Sequence, residues 1–176
     1  MAYSIEPSYV LADGICKELA NASTKINNKW YFSGTGFNAS NIDRNGDFSA
    51  KENFAIVSDK KIIAYIESRW LRSIKVLVDF KIILFDDTKK ISFVDAVLSY
   101  FEYVFISRGC DVITFDVAEK NSSLVKLCSK LSSKYFGHKC GVKTRNLKSL
   151  NGEISDAILY EITKEEYFNW KNTLTA

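Results

Sequence analysis

The stretches IKVLVDFKIILF (74–85), ISFVDAVLSYFEYVFISR (91–108) and CDVITFDVA (110–118) decide how this chain folds. The first is long, β-branched and apolar. Alternate side chains of a strand share a face. Val76, Val78, Phe80, Ile82 and Leu84 therefore line one wholly apolar side. Leu77, Asp79, Lys81, Ile83 and Phe85 line the other, with a single acid–base pair. Burial on both faces is the expectation. The second stretch has apolar residues at helical spacing over a wide arc, and Gly109 supplies its C-cap. The third is another core strand. Strand, helix and strand make a βαβ unit, which sets the two strands parallel through a right-handed crossover.

Outward from this unit, NFAIVS (53–58) and KIIAYIESRWL (61–71) read as strands joined at Asp59-Lys60. SSLVKLCSKLSSKYF (122–136) is a helix with Lys126, Lys130 and Lys134 on a solvated stripe and Leu124, Leu127, Cys128 and Leu131 on the packed side. VKTRNLKSL (142–150) and DAILYEI (156–162) are strands joined at Asn151-Gly152. Thr163-x-x-Glu166 is a capping box that opens a last short helix through Trp170. At the other end, Val10, Leu11, Ile15, Leu19 and Ala20 predict a helix over 9–24. The fold class is α/β, with a mixed sheet and flanking helices in a single domain.

Composition narrows the function. The 176 residues carry 24 Lys or Arg against 21 Asp or Glu, so no global field points to a nucleic-acid or membrane partner. Four cysteines without a C-x-x-C pair, and one histidine, give no zinc spacing. The helix over 91–108 contains Asp95, Glu102 and Arg108 and is too polar to span a bilayer. A reducing, cytoplasmic setting is the expectation. Residues 134–148 hold Lys134, Lys139, Lys143, Arg145 and Lys148 with no acid, which is read as solvated surface rather than a nucleic-acid site.

The order of elements, with RGCDVITFDV followed by AEKNSSLVKLCSKL and with Ile62-Ile63-Ala64-Tyr65-Ile66 before them, resembles the GNAT superfamily of N-acyltransferases. The resemblance covers about residues 53–162, the core, and implies that 1–50 form a helical and loop region over the acceptor. It implies acyl transfer from acetyl-CoA or another acyl-CoA to an amine-bearing acceptor, with no membrane partner. The family's Q/R-x-x-G-x-G/A phosphate cradle falls on Lys89, Ser92 and Val94, so both small positions are lost. On this resemblance Lys89, Lys90 and Ser92 hold the pyrophosphate and Asn121 the pantetheine arm. A backbone N–H near Ile83 or Leu84 holds the oxyanion.

Asp79 is the candidate base, or one half of an ion pair with Lys81, and Glu67 is its reserve. Cys128 stands where the family places a Tyr acid, and the preferred reading of it is a small buried hydrophobe on the packed helix face; Tyr135 and Tyr65 are substitutes for the acid. Trp30, Tyr31, Phe32 and Phe37, with Gly34 and Gly36, either line the acceptor pocket or cover the core edge. The alternative to an acyl-CoA-dependent N-acyltransferase is a catalytically degenerate GNAT-like binding protein, or a transferase that uses a donor other than acetyl-CoA.

Overall fold

The structure, a computed structural model, describes residues 3–25, 30, 37, 42 and 51–174. Among the described residues, seven strands form one mixed sheet in the order β1-β2-β3-β4-β5-β7-β6. They are β1 (Tyr3–Pro7), β2 (Phe54–Ser58), β3 (Lys61–Leu71), β4 (Val76–Leu84), β5 (Val112–Ala118), β6 (His138–Lys148) and β7 (Ile154–Thr163). Four α-helices among the described residues flank them: α1 (Ala12–Ser23), α2 (Lys90–Glu102), α3 (Ser122–Lys134) and α4 (Lys164–Thr173).

β4 and β5 are parallel neighbours connected through α2, as the βαβ pattern requires. The predicted helix over 91–108 is not α-helical throughout. Beyond Glu102 it continues as a π turn over Tyr103–Ser107, which Gly109 ends at φ +70°. The β2–β3 hairpin turns on Asp59 (φ 51°) and Lys60 (φ 63°), both left-handed without a glycine. The capping box of α4 forms as expected between Thr163 and Glu166. β1 is a strand that the sequence does not reveal. Its five residues, with Pro7 at the end, pair antiparallel with β2 at the sheet edge, where a missing N–H is tolerated.

The core lies on both faces of the sheet. Tyr65 and Ile83 pack with Ile15, Leu19 and Ala22 of α1. The neighbouring strand residues Ala64, Ile66, Ile82 and Leu84 turn to the opposite cluster, which holds Tyr100, Phe101, Phe105 and Tyr167 of α2, the π turn and α4. Cys128 of α3 packs on Val117, Ile158 and Tyr160. The buried Glu52 carboxylate meets the Arg108 guanidinium at the end of the π turn, tying the segment before β2 to that helix. Burial pushes the Glu52 carboxyl up, and Arg108 opposes that shift.

Candidate active site

The site begins with a single extra residue. Glu67 lies opposite Lys81 and Arg69 opposite Val78, so β4 takes three steps where β3 takes two. The bulge falls at Asp79, whose φ is +54°. Leu77 and Phe80, three apart, consequently share a buried cluster, and the expected unbroken alternation of β4 does not hold.

The bulge also turns the backbone over. Before it, the Asp111 N–H donates to the Lys75 carbonyl at 2.8 Å, so odd-numbered residues direct hydrogen bonds to the β5 side. After it, the Phe85 N–H donates to the Ile63 carbonyl at 2.8 Å, so odd-numbered residues face β3. Antiparallel ladders alternate. Ile82 and Leu84 therefore aim their N–H and C=O groups away from β3, toward β5.

β5 does not meet them. β4 and β5 pair only through Val76–Val112 and Leu77–Ile113. β5 meanwhile pairs with β7 along its whole length. A wedge-shaped gap thus opens from Val78 to Leu84 along one side and toward Ala118 along the other. Phe80 and Phe115 meet edge-on near its closed end, with centroids 6.1 Å apart. Of the two predicted oxyanion donors, Leu84 faces the gap. Ile83 faces β3, and its side chain is buried on the α1 face. Ile82 also faces the gap, and sequence reasoning misses it because the shift in parity leaves no mark in the sequence.

The carboxylates divide differently from expectation. The sequence offers Asp79 either as a largely buried base or as one half of an ion pair with Lys81 on a partly exposed sheet face. Its left-handed conformation turns it outward instead, with its side chain 60% exposed and 3.1 Å from Arg69. Lys81 pairs with Glu67, at 3.3 Å, and the Glu67 side chain is only 13% exposed. Glu67 Oε1 accepts from Lys81 Nζ, while Oε2 has no hydrogen-bond partner among the described residues. Burial holds the Glu67 carboxyl above its ordinary range, and the Lys81 charge opposes that shift. Glu67 lies two residues from Tyr65 on β3, on the sheet face that α1 covers.

At the far end of the gap, the turn into α2 reads Asp86-Asp87-Thr88-Lys89. Asp86 accepts the Thr88 N–H at 2.9 Å and the Thr88 hydroxyl at 2.6 Å, which hold its carboxyl below the usual range. Lys89 donates to Asp59 of the β2–β3 hairpin at 2.6 Å. That bond lowers the Asp59 carboxyl and raises the Lys89 ammonium. Ser92, predicted to face a phosphate, is buried in the first turn of α2, and Val94 is exposed beyond it. Lys90 is the first residue of α2 and is exposed.

The remaining predicted residues are dispersed. Asn121 is the N-cap of α3, its side chain accepting the Leu124 N–H at 3.3 Å. Cys128 is buried, and burial pushes its thiol up to about 12. Tyr135 is exposed at the far end of α3 against Trp170. Phe37 packs on Tyr65 at 5.6 Å, and Trp30 is buried with Ala118, Leu147 and Ala157. Tyr31, Phe32, Gly34 and Gly36 lie outside the described residues. Among the described residues no His, Cys, Asp and Glu cluster could hold a metal ion, and no helix is long and apolar enough to cross a membrane.

The parted parallel strands can be compared with known proteins. The spermidine N-acetyltransferase from Vibrio cholerae, solved in complex with CoA and spermine, superposes with a TM-score of 0.74. It shares 15% identity, over 95% of this chain and 98% of that one. The fold is that of the GNAT N-acyltransferases. A second GNAT structure, the ribosomal-protein-S18-alanine N-acetyltransferase from Escherichia coli, gives a TM-score of 0.62 at 14% identity, over 92% of this chain and 94% of that one. No protein-family model and no curated protein sequence matches the chain.

The GNAT fold implies coenzyme A, and the two ends of the gap fit it unequally. The backbone groups of Ile82 and Leu84 fit an amide-bearing arm, which can continue the ladder that β5 does not complete. The phosphate end fits poorly: two carboxylates stand at the turn, and the leading lysine already has an anionic partner.

Proposed function

We propose that this protein transfers an acyl group from a pantetheine thioester, in the first instance an acyl-CoA, to an amine. The observation that carries the proposal is the parting of β4 from β5 beside a bulge that leaves the Ile82 and Leu84 backbones facing the gap. The donor supplies an activated thioester carbon. The backbone of Ile82 and Leu84 holds the arm in extended form, and the Leu84 N–H is the donor for an oxygen that gains negative charge. Glu67 Oε2 accepts the proton that the acceptor amine must lose. A carboxyl raised by burial is better matched to that task than an ordinary one, and the Lys81 charge favours its ionised form. Asp79 is turned out to solvent and paired with Arg69, which makes it the poorer candidate on position. Cys128 has a packing place and a thiol too weak an acid to serve a departing thiolate.

Calorimetric titration with acetyl-CoA, together with thiol release in the presence of spermidine, an alanyl peptide or an amino sugar, tests the proposal. Amine-dependent thiol release that is lost in Glu67→Gln supports it. No transfer to any amine, from any thioester, overturns it. A second reading has its own support in Asp86, Asp87 and the already paired Lys89: the donor lacks a pyrophosphate, or the chain only binds. Transfer from S-acetyl-pantetheine but not from acetyl-CoA favours the former, and tight binding of pantetheine without transfer favours the latter.

A further inference from the structure

Charge is distributed very unevenly along this chain. Residues 120–152 contain eight Lys or Arg and no Asp or Glu, while the whole chain is only +3 and the remainder therefore net −5. The fold gathers much of that excess onto one surface. α3 buries Cys128 against Val117, Ile158 and Tyr160, with Leu124 and Val125 beside it. Lys126 and Lys130 then point directly away from the sheet, and Lys134 follows one turn later. The three are about 6 Å apart along the helix.

Strand β6 extends this surface. Directly opposed residues of neighbouring strands share a face. Lys139 lies opposite Tyr160 and Lys148 opposite Ile154. Tyr160 packs under α3, so Lys139 and Lys148 are on the α3 side, while Lys143 lies on the other side with Asp116. Arg145 projects from a bulge between them at φ 49°. Among the described residues, no side-chain cation of Lys126, Lys130, Lys134, Lys139, Arg145 or Lys148 forms an ion pair, and all are exposed; only the Arg145 backbone N–H meets a carboxylate, that of Asp156 at 2.7 Å. Tyr135, 46% exposed, adjoins Lys134 at the end of the stripe.

Lysines on an edge strand discourage edge-to-edge pairing. That accounts for β6, but not for three aligned lysines on a helix in the interior of the surface. We infer that the α3–β6 face binds single-stranded nucleic acid through its phosphates. A row of ammonium groups with no paired acids is complementary to a linear polyanion. Lysine acts as a point charge rather than a planar fork, so the contacts are indifferent to sequence. Tyr135 offers a base a surface to stack on. The exposed apolar residues around the lysines, Leu127, Val142, Leu150 and Ile154, are scattered over α3, β6, the turn after it and the start of β7 and form no single amphipathic face for insertion into a lipid surface. This inference stands apart from acyl transfer, since none of these residues borders the gap.

The test is fluorescence anisotropy of a labelled, mixed-sequence 20-nucleotide RNA titrated with the full chain between 50 and 200 mM salt. Five phosphate contacts give a log–log slope of about −3.5, so affinity falls about a hundredfold across that range. The triple variant Lys126→Gln/Lys130→Gln/Lys134→Gln should lower the slope by about 2. The charge-matched control Lys17→Gln/Lys25→Gln/Lys60→Gln should leave it unchanged. These are exposed positions, and thermal unfolding verifies that each variant is folded. No binding at 50 mM salt, equal loss in both triples, or binding to phosphatidylserine vesicles with none to RNA would each overturn the inference.

Discussion

The two ends of the β4–β5 gap are built on different principles. The inner end is made of backbone: a bulge, two paired positions and the reversed parity of Ile82 and Leu84. The outer end depends on side chains and on the small residues that let a phosphate approach. Here it presents Asp86, Asp87 and a lysine already paired with Asp59. A slot defined by strand geometry survives wide change in sequence, because almost any apolar residue fits it. A phosphate cradle does not, because one β-branched residue or one carboxylate alters it. The chain retains the first feature and departs from the second.

The largest expected effect concerns the inner end. Glu67→Gln should reduce acyl transfer by about 10²–10⁴-fold, the usual scale for a lost general base, without unfolding the protein. Asp79→Asn should change the rate less than about twofold. Asn tolerates the left-handed backbone that Asp79 occupies, so the fold is kept. The reverse ranking, in steady-state rates with the same amine, would return the base to β4.

The same pair sets a pH dependence. Glu67 is raised by burial, so the rate should climb with pH through a limb above the ordinary carboxylate range. Lys81 opposes the shift. Lys81→Met should therefore move the limb to higher pH in kcat/KM profiles. The linked stability has the opposite sign. A raised carboxyl binds its proton more readily when folded, so its contribution is fullest below the unfolded value and declines as pH rises through the folded one.

Next in size is the outer end. Asp86→Asn/Asp87→Asn should tighten acetyl-CoA binding by several-fold to tenfold in calorimetry, since a like charge about 4 Å from a phosphate costs about 1 kcal/mol in water. The amide oxygen introduced at position 86 would still accept the Thr88 N–H, so the turn persists. Val94→Gly should add to the gain only if the phosphate approaches the exposed side of α2. An affinity unmoved by the double substitution would show that the phosphates lie elsewhere.

These contrasts also mark what is legible in the sequence. The βαβ unit can be read because long apolar runs carry their period over many residues. The expected bounds of β3 coincide with Lys61–Leu71. The bulge cannot be read, because one residue of slip looks like any other position in an apolar strand. Everything downstream of it inverts: Asp79 leaves the interior, Ile83 turns to β3, and Glu67 becomes the buried carboxylate. β1 escapes because its alternation, Tyr3 and Ile5 against Ser4 and Glu6, lasts only four residues before Pro7. Asn121 stands out in the sequence for a different neighbour, since in this structure its side chain caps α3.

The smallest effect separates packing from chemistry on the far side of the gap. Cys128 touches Val117, Ile158 and Tyr160, and only burial shifts its thiol, up to about 12. A thiol held that high stays protonated across the working range and gives its proton to a thiolate only uphill. Cys128→Ala should thus leave kcat unchanged within about twofold while removing a buried sulfur. The cost is about 1 kcal/mol, a small cavity under α3, and it should appear as a lower denaturation midpoint at constant m-value. Cys128→Ser places a hydroxyl of nearly the same size in that apolar niche and should destabilise more, because no acceptor there replaces its lost water except the helix carbonyls behind it. A rate falling in step with thiol loss in both variants, with stability unmoved, would make Cys128 a proton donor after all.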